Sequence, residues 1–112
     1  MTEGVAHIFL ETHNWGKTVA FWTALGFELE FETDHNSGRL RGPDGSSVFV
    51  AERSPLDPVG MEVFLAVSEG GGPAPEGVDV AFDWTETHWK TQLMTVRDPD
   101  GRLIRLVAPV GG

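Results

Sequence analysis

Hydrophobic and polar residues alternate along most of this chain, in short segments separated by turns rich in glycine, proline and aspartate. Alternation with a period of two predicts strands, because successive side chains of a strand point to opposite faces of a sheet. The predicted strands cover residues 6–11, 27–33, 39–41, 47–52, 61–67, 78–87, 89–98 and 103–109.

A single helix is predicted after the first strand. Asn14 can cap it, because its side-chain oxygen can accept a hydrogen bond from a backbone N–H of the first turn. Residues 15–25 then place apolar side chains at helical spacing, and Gly26 ends the helix. The apolar stripe consists of Val19, Trp22 and Leu25. We expect Trp22 to lie in the core.

The second predicted strand has an acidic pattern. Its apolar residues alternate with three glutamates, which are Glu28, Glu30 and Glu32. A regular strand of this kind has one wholly acidic face. We expect that face to be solvated; turned toward a cleft instead, it would suit a cationic ligand.

The two halves of the chain repeat one pattern. The turn Pro43-Asp44-Gly45 recurs 56 residues later as Pro99-Asp100-Gly101, and the opening strands of the halves align with nearly the same offset. This predicts two modules of strand, crossover, strand, strand, strand within one domain, residues 1–53 and 60–110. The crossover of the second module is a glycine- and proline-rich loop instead of a helix. The predicted fold class is α+β.

The missing helix leaves an apolar sheet face to be covered. In the second module, alternate residues of the first and last strands form this face: Val63, Leu65, Val67, Ile104 and Leu106. An exposed apolar face of that size is a liability. We therefore expect residues 68–77, or a partner subunit, to fold over it.

Composition narrows the class of partner. The chain has 112 residues and 40% hydrophobic residues, so it can form one moderate core. Its 8 Lys and Arg residues stand against 17 Asp and Glu residues, a net charge of −9 that disfavours nucleic acid and anionic membranes as partners. Cysteine is absent, and the first residues do not resemble a signal peptide. We expect a cytoplasmic protein.

The repeat and two local motifs together resemble a known superfamily. The helix sequence Thr18-Val19-Ala20-Phe21-Trp22-Thr23-Ala24-Leu25-Gly26-Phe27 and the turn Arg97-Asp98-Pro99-Asp100-Gly101, set in two βαβββ units, are similar to the vicinal oxygen chelate superfamily. This group contains glyoxalases, bleomycin resistance proteins and extradiol dioxygenases. The resemblance implies a curved mixed sheet around a cleft that a second subunit often completes. A homodimer is therefore expected, domain-swapped or not.

The resemblance also implies where a divalent metal ion would bind. In metal-dependent members, the first and last strands of each module supply the ligands, and these positions fall here on His7, Phe49, Glu62 and Arg105. Phenylalanine cannot ligate a metal, and arginine is a permanent cation. We therefore predict no metal cofactor; in the alternative, one divalent ion would be held by His7, Glu62 and a third donor. Without a metal, Glu62 and Arg105 can pair, either as a structural ion pair or to grip a ligand.

The candidate ligand-binding residues follow from the predicted cleft. Trp84 and Trp89 flank a connection between two strands, where they can wall the cleft or form a dimer contact. The complete set is His7, Phe9, Phe49, Glu62, Phe64, Trp84, Trp89 and Arg105.

The leading functional hypothesis is a metal-free small-molecule binding protein that resembles the bleomycin resistance type. It would sequester a cationic or aromatic ligand. One alternative is a metal-dependent enzyme, either a glyoxalase-like lyase or isomerase or a dioxygenase. Another is a degenerate structural or regulatory member whose cleft is filled by its own side chains.

Overall fold

The structure, a computed structural model, describes residues 1–110 and contains one helix and eight strands in that range. The elements are β1 (Val5–Thr12), α1 (Trp15–Ala24), β2 (Glu28–Glu32), β3 (Ser37–Arg41), β4 (Ser47–Glu52), β5 (Met61–Ala66), β6 (Asp79–Glu86), β7 (Thr91–Arg97) and β8 (Leu103–Pro109). Every predicted element is present, and two strands have the predicted bounds. The α+β fold class is confirmed.

The chain divides into two compact units, which differ slightly from the predicted modules. Residues 7–61 form one, here called the helical unit; residues 1–6 and 62–110 form the other, here called the loop unit. The first residues join the loop unit because they pair with β5. The N–H of Glu3 donates to the carbonyl of Ala66, and the N–H of Ala66 donates to the carbonyl of Gly4, each over 2.8 Å.

The helical unit is a sheet covered on one face by α1. Its strands lie in the order β2, β3, β4, β1, with β1 and β4 parallel and the other pairs antiparallel. Leu40, Val48 and Val50 point toward the helix and are buried with Trp15. Alternation then places the intervening residues, such as Arg39 and Phe49, on the opposite face. We call this the open face of the helical unit.

The helix begins as predicted, and two of its three predicted apolar residues pack against the core. The side chain of Asn14 accepts a hydrogen bond from the N–H of Lys17, and Gly26 has a φ of 105° at the C-terminal end. Val19 and Trp22 are half-buried against the core, while Leu25 is 61% exposed. The prediction for Leu25 was wrong because the helix ends at Ala24, so residue 25 no longer follows the helical stripe.

The predicted acidic face of β2 does not form. A β-bulge between Leu29 and Phe31 shifts the register against β3. Glu30 therefore accepts hydrogen bonds from arginines on the open face, whereas Glu32 accepts one from Trp15 Nε1 over 2.9 Å on the helix side. An extra residue in a strand reverses which side chains share a face, and this explains the error.

The loop unit buries its core under the loop that replaces the second helix. Its strands lie in the order β5, β8, β7, β6, with β5 and β8 parallel and the other pairs antiparallel. The core consists of Val67, Met94, Val96, Leu106 and Ala108. Ala74 packs against it from the loop, and the carbonyl of Gly72 accepts a hydrogen bond from Trp84 Nε1 over 2.8 Å. The prediction that residues 68–77 cover this face is confirmed.

Candidate functional site

The internal repeat places equivalent side chains at equivalent positions of the two sheets. On the open face of the helical unit, Phe49 of β4 lies beside Phe9 of β1. In the loop unit, Arg105 of β8 lies beside Phe64 of β5, on the face opposite to the loop. We call that face the open face of the loop unit. Arg105 thus takes the place of Phe49 in the second sheet.

Glu62 and Arg105 lie close together in the loop unit. Arg105 Nε is 3.5 Å from Glu62 Oε2, and Arg105 Nη1 donates a hydrogen bond to Thr95 Oγ1 over 2.9 Å. Thr95 is 2% exposed, so this hydroxyl holds the guanidinium from below. Within residues 1–110, the buried Arg105 Nε has no hydrogen-bond acceptor of proper geometry. The ion pair is therefore a loose one that leaves guanidinium donors available.

A pocket of about 280 Å³ opens beside Arg105. Phe82 and Leu93 supply apolar surface, and the lining includes two acidic residues, Asp83 and Glu86, together with a single arginine. Strand β6 has two register shifts against β7, one on each side of Phe82. These irregularities place consecutive residues of β6 along one pocket, and they leave Phe82 63% exposed.

Sequence analysis missed Asp83 and Glu86 because the two bulges break the alternation on which face assignments depend. The sequence gives no sign of these bulges. In the predicted strand at residues 78–87, apolar residues recur at every second position, namely Val78, Val80, Phe82 and Trp84, as in a regular strand.

The two candidate tryptophans do not line this pocket. Trp84 packs on the loop-covered core and donates its Nε1–H to Gly72. Trp84 lies on the same face of β6 as Val80, whose partner Val96 belongs to the core, so its side chain does not line this pocket. Trp89 is 77% exposed in the turn between β6 and β7, where its backbone N–H donates to Thr87 Oγ1.

The open face of the helical unit gathers an aromatic cluster around a cation. The ring of His7 meets that of Phe49 edge to face, with centroids 4.9 Å apart. The guanidinium of Arg39 lies 5.3 Å from the ring centroid of Phe31 and 5.5 Å from that of Phe49. Burial, and then the positive charge of Arg39, lower the pKa of His7 below its usual 6.5. His7 is therefore neutral at pH 7.

Glu30 balances the arginines of this face. It accepts hydrogen bonds from Arg39 Nη2 over 2.7 Å and from Arg41 Nε over 2.6 Å. The hydrogen bond from Arg41, followed by that from Arg39, lowers the pKa of Glu30 although burial opposes the shift. Sequence analysis did not single out Arg39, which lies at the position equivalent to Thr95 in the repeat.

The donor set does not fit the divalent metal ion that the resemblance implies. Two of the four positions carry Phe49 and Arg105, and the second of these brings a guanidinium to within 3.5 Å of the remaining carboxylate, Glu62. Across residues 1–110, no three His, Asp or Glu side chains come together as a ligand group. Divalent ions need several converging oxygen or nitrogen donors, so we derive no step through a metal.

Comparisons with known proteins bear on the fold. No family model matches the chain, and no curated protein matches it. Among solved structures, a glyoxalase/bleomycin resistance protein/dioxygenase superfamily member from Vibrio splendidus 12B01 is similar, with a TM-score of 0.61, 21% identity, and coverage of 91% of this chain and 96% of the other.

Two further structures are more distant. A glyoxalase/bleomycin resistance protein/dioxygenase from Nocardioides has a TM-score of 0.41 and 17% identity, and covers 100% of this chain and 87% of its own. A glyoxalase family protein from Bacillus cereus has a TM-score of 0.39 and 14% identity, with 99% and 97% covered.

With ten residues, helix α1 is too short to span a bilayer, and it is the one helix among residues 1–110.

The element order, the repeated register and the similarity to the Vibrio protein indicate the same fold. This chain has the fold of the glyoxalase/bleomycin resistance protein/dioxygenase superfamily.

Proposed function

We propose that this chain binds a small organic molecule in the pocket of the loop unit, without a metal ion. The observation that carries the proposal is the position of Arg105. Its guanidinium occupies a ligand position of metal-dependent superfamily members, pairs with Glu62 over 3.5 Å, and lines the pocket. A site that has replaced a metal ligand by a fixed cation is suited to binding rather than to metal chemistry.

The charges around the pocket favour a ligand with a cationic group. Asp83 and Glu86 are among the lining residues, and Glu62 lies at the arginine of the pocket, so three acidic residues are gathered around one arginine. Phe82 adds an exposed aromatic ring, which can attract a cation through its face. Leu93 supplies apolar surface. We therefore propose a ligand that joins a cationic group to an aromatic or apolar one.

The test is a titration of the purified protein with cationic aromatic probes in the presence of a chelator. Metal-free bleomycin and ethidium are suitable probes, and the uncharged 2-naphthamide is the comparator. Binding is followed by calorimetry and by fluorescence. We expect the cationic probes to bind and the uncharged probe to bind much more weakly.

Variants locate the site. Asp83→Asn and Glu86→Gln each remove one negative charge from a lining residue. Each variant is expected to bind the cationic probes about tenfold more weakly, which is the scale of one charge-assisted contact. Glu76→Gln makes the same change in net charge on an exposed loop residue outside the pocket, and it should leave binding unchanged. Equal affinity in all three variants, or no binding of any cationic probe, would contradict the proposal.

The rival function is a metal-dependent enzyme that uses His7 and Glu62. Metal analysis after loading with nickel, zinc, manganese or iron separates the two. A tightly held stoichiometric ion that disappears in His7→Ala would favour the enzyme.

A further inference from the structure

Arg39 has more hydrogen-bond donors than its surroundings use. A guanidinium carries five N–H donors. Within residues 1–110, one of them meets an acceptor: Nη2 donates to Glu30 Oε1 over 2.7 Å. The buried Nε has no acceptor. Arg41 differs, because it donates twice to Glu30 and once to the carbonyl of Gly45.

The charge of Arg39 is also incompletely neutralised. Glu30 is shared between two arginines. Its contact with Arg41 Nε, at 2.6 Å, is slightly shorter than its contact with Arg39 Nη2, at 2.7 Å. The positive charge of Arg39 still lowers the pKa of His7, after the larger effect of burial. The positive charge of Arg39 thus acts on its neighbour His7 on the open face of the helical unit.

Aromatic rings hold the guanidinium in place and provide a surface beside it. Phe31 and Phe49 both lie within 5.5 Å of Arg39 Cζ, measured to their centroids, and their own centroids are 6.4 Å apart. Phe31 is 44% exposed. Both ring contacts restrict the movement of the guanidinium, and its planar fork matches a carboxylate, which accepts two parallel N–H donors.

We propose that the open face of the helical unit binds the carboxylate of a small aromatic acid, with the carboxylate on Arg39 and the ring of the ligand on Phe31. This site lies in the other unit from the pocket proposed above and takes a ligand of opposite charge. Failure of one proposal therefore leaves the other standing.

The experiment uses 2-naphthoate as the probe, with calorimetry and backbone amide NMR on the full chain. We expect saturable binding, with shifted resonances at residues 31, 39 and 49. The amide 2-naphthamide has the same ring without the charge, and acetate has the charge without the ring; both are expected to bind much more weakly. Inorganic phosphate tests whether the site takes any anion. Phosphate binding as tight as that of 2-naphthoate would overturn the assignment of an aromatic acid.

Three variants test the named residues. Arg39→Lys keeps the charge but loses the planar fork, and it should bind 2-naphthoate at least about tenfold more weakly than the natural chain. Phe31→Leu changes a half-exposed ring, so the chain should fold. This variant should have a lower affinity for 2-naphthoate and an unchanged affinity for acetate. Arg97→Lys is the matched control, because Arg97 pairs with Asp79 on the surface of the loop unit. Absence of 2-naphthoate binding to the natural chain, or loss of binding in Arg105→Lys but not in Arg39→Lys, would overturn the proposal.

Discussion

The two open faces each present an arginine, held in different ways. Arg105 has a carboxylate on one side, Glu62, and the buried hydroxyl of Thr95 on the other. Arg39 has a share of Glu30 and two phenyl rings. Arginine stays charged at every accessible pH. The electrostatics of these faces therefore respond to pH through the neighbours of the arginines.

His7 is expected to make stability depend on pH near neutrality. Its pKa is lowered in the folded chain by burial and by Arg39, so the unfolded chain binds the proton more readily. The free energy of unfolding should fall as the pH drops below about 6.5 and level off below the lowered pKa of the folded state. Urea unfolding between about pH 7.5 and pH 5 measures this slope. His7→Asn should flatten it, and an unchanged slope in that variant would contradict the assignment.

The contribution of Arg39 to that shift can be isolated. Arg39→Met removes the positive charge, and the pKa of His7 should rise toward 6.5 without reaching it, because burial is the larger cause. NMR titration of the imidazole protons gives the value in both proteins, and His7→Asn identifies the resonance. A pKa that does not move would show that the positive field of Arg39 does not reach His7.

Among the elements, β2 shows how a local irregularity changes chemistry. Its bulge sends Glu30 to the open face, where it meets arginines, and Glu32 to the helix side, where it meets Trp15. A residue of the facing strand makes this geometry possible. Gly38 of β3 lies so close to β2 that a Cβ there would overlap the carbonyl oxygen of Phe31 and press on the Trp15 ring.

Gly38→Ala is therefore expected to destabilise the chain. The added methyl must displace the β2 backbone, and overpacking of this kind costs about 1–3 kcal/mol. Gly72→Ala is the matched control, because a Cβ at residue 72 meets nothing within 4 Å and should have little effect. Urea unfolding measures both variants. Equal stability of the two would mean that β2 can move away from β3 without cost.

The loop at residues 68–77 covers the sheet face that a helix covers in the helical unit, and it makes few contacts with that face. One contact is apolar, Ala74 against the core, and one is polar, the hydrogen bond from Trp84 Nε1 to Gly72. Trp84→Phe removes the polar contact. We expect faster limited proteolysis within residues 68–77 in this variant, because local opening becomes easier. Trp89→Phe changes an exposed ring and should leave the cleavage rate unchanged; loop cleavage as fast as in Trp84→Phe would refute the role of the bond.

For the chain as a whole, the residues at the four implied ligand positions predict that divalent ions do not change the stability. An ion that bound the folded state with a dissociation constant a hundredfold below its concentration would add about 2.7 kcal/mol of stability. We expect zinc, nickel and manganese to leave the thermal midpoint unchanged, since Phe49 and Arg105 occupy two of the four ligand positions. Stabilisation by an ion that is lost in His7→Ala would contradict this.

The expected homodimer is a prediction about the molecule in solution. A partner subunit was one of two ways to cover the apolar face of the second module, and the loop covers it instead. The dimer stays a prediction from the resemblance. Sedimentation velocity over a range of protein concentrations measures the mass in solution; a mass of 12.2 kDa at every concentration would contradict it.

The proximity of Glu62 to Arg105 could be predicted because strand parity survives wherever a strand is regular. In β5 and β8, alternation places Glu62 and Arg105 on one face, and the structure brings their side chains within 3.5 Å. The same reasoning failed in β2 and β6, where bulges change the parity. For that reason Asp83 and Glu86 were not recognised.

The amino-acid pattern was enough to establish the strands, the helix and its cap, the repeat, the α+β fold and the loop that replaces a helix. These features depend on local periodicity, turn chemistry and the need to bury an apolar face. The lining of the pocket and the partners of Arg39 depend on bulges and on close approaches such as that of Gly38 to β2. Such features arise from pairing between distant segments, so they emerge when the sheets are assembled.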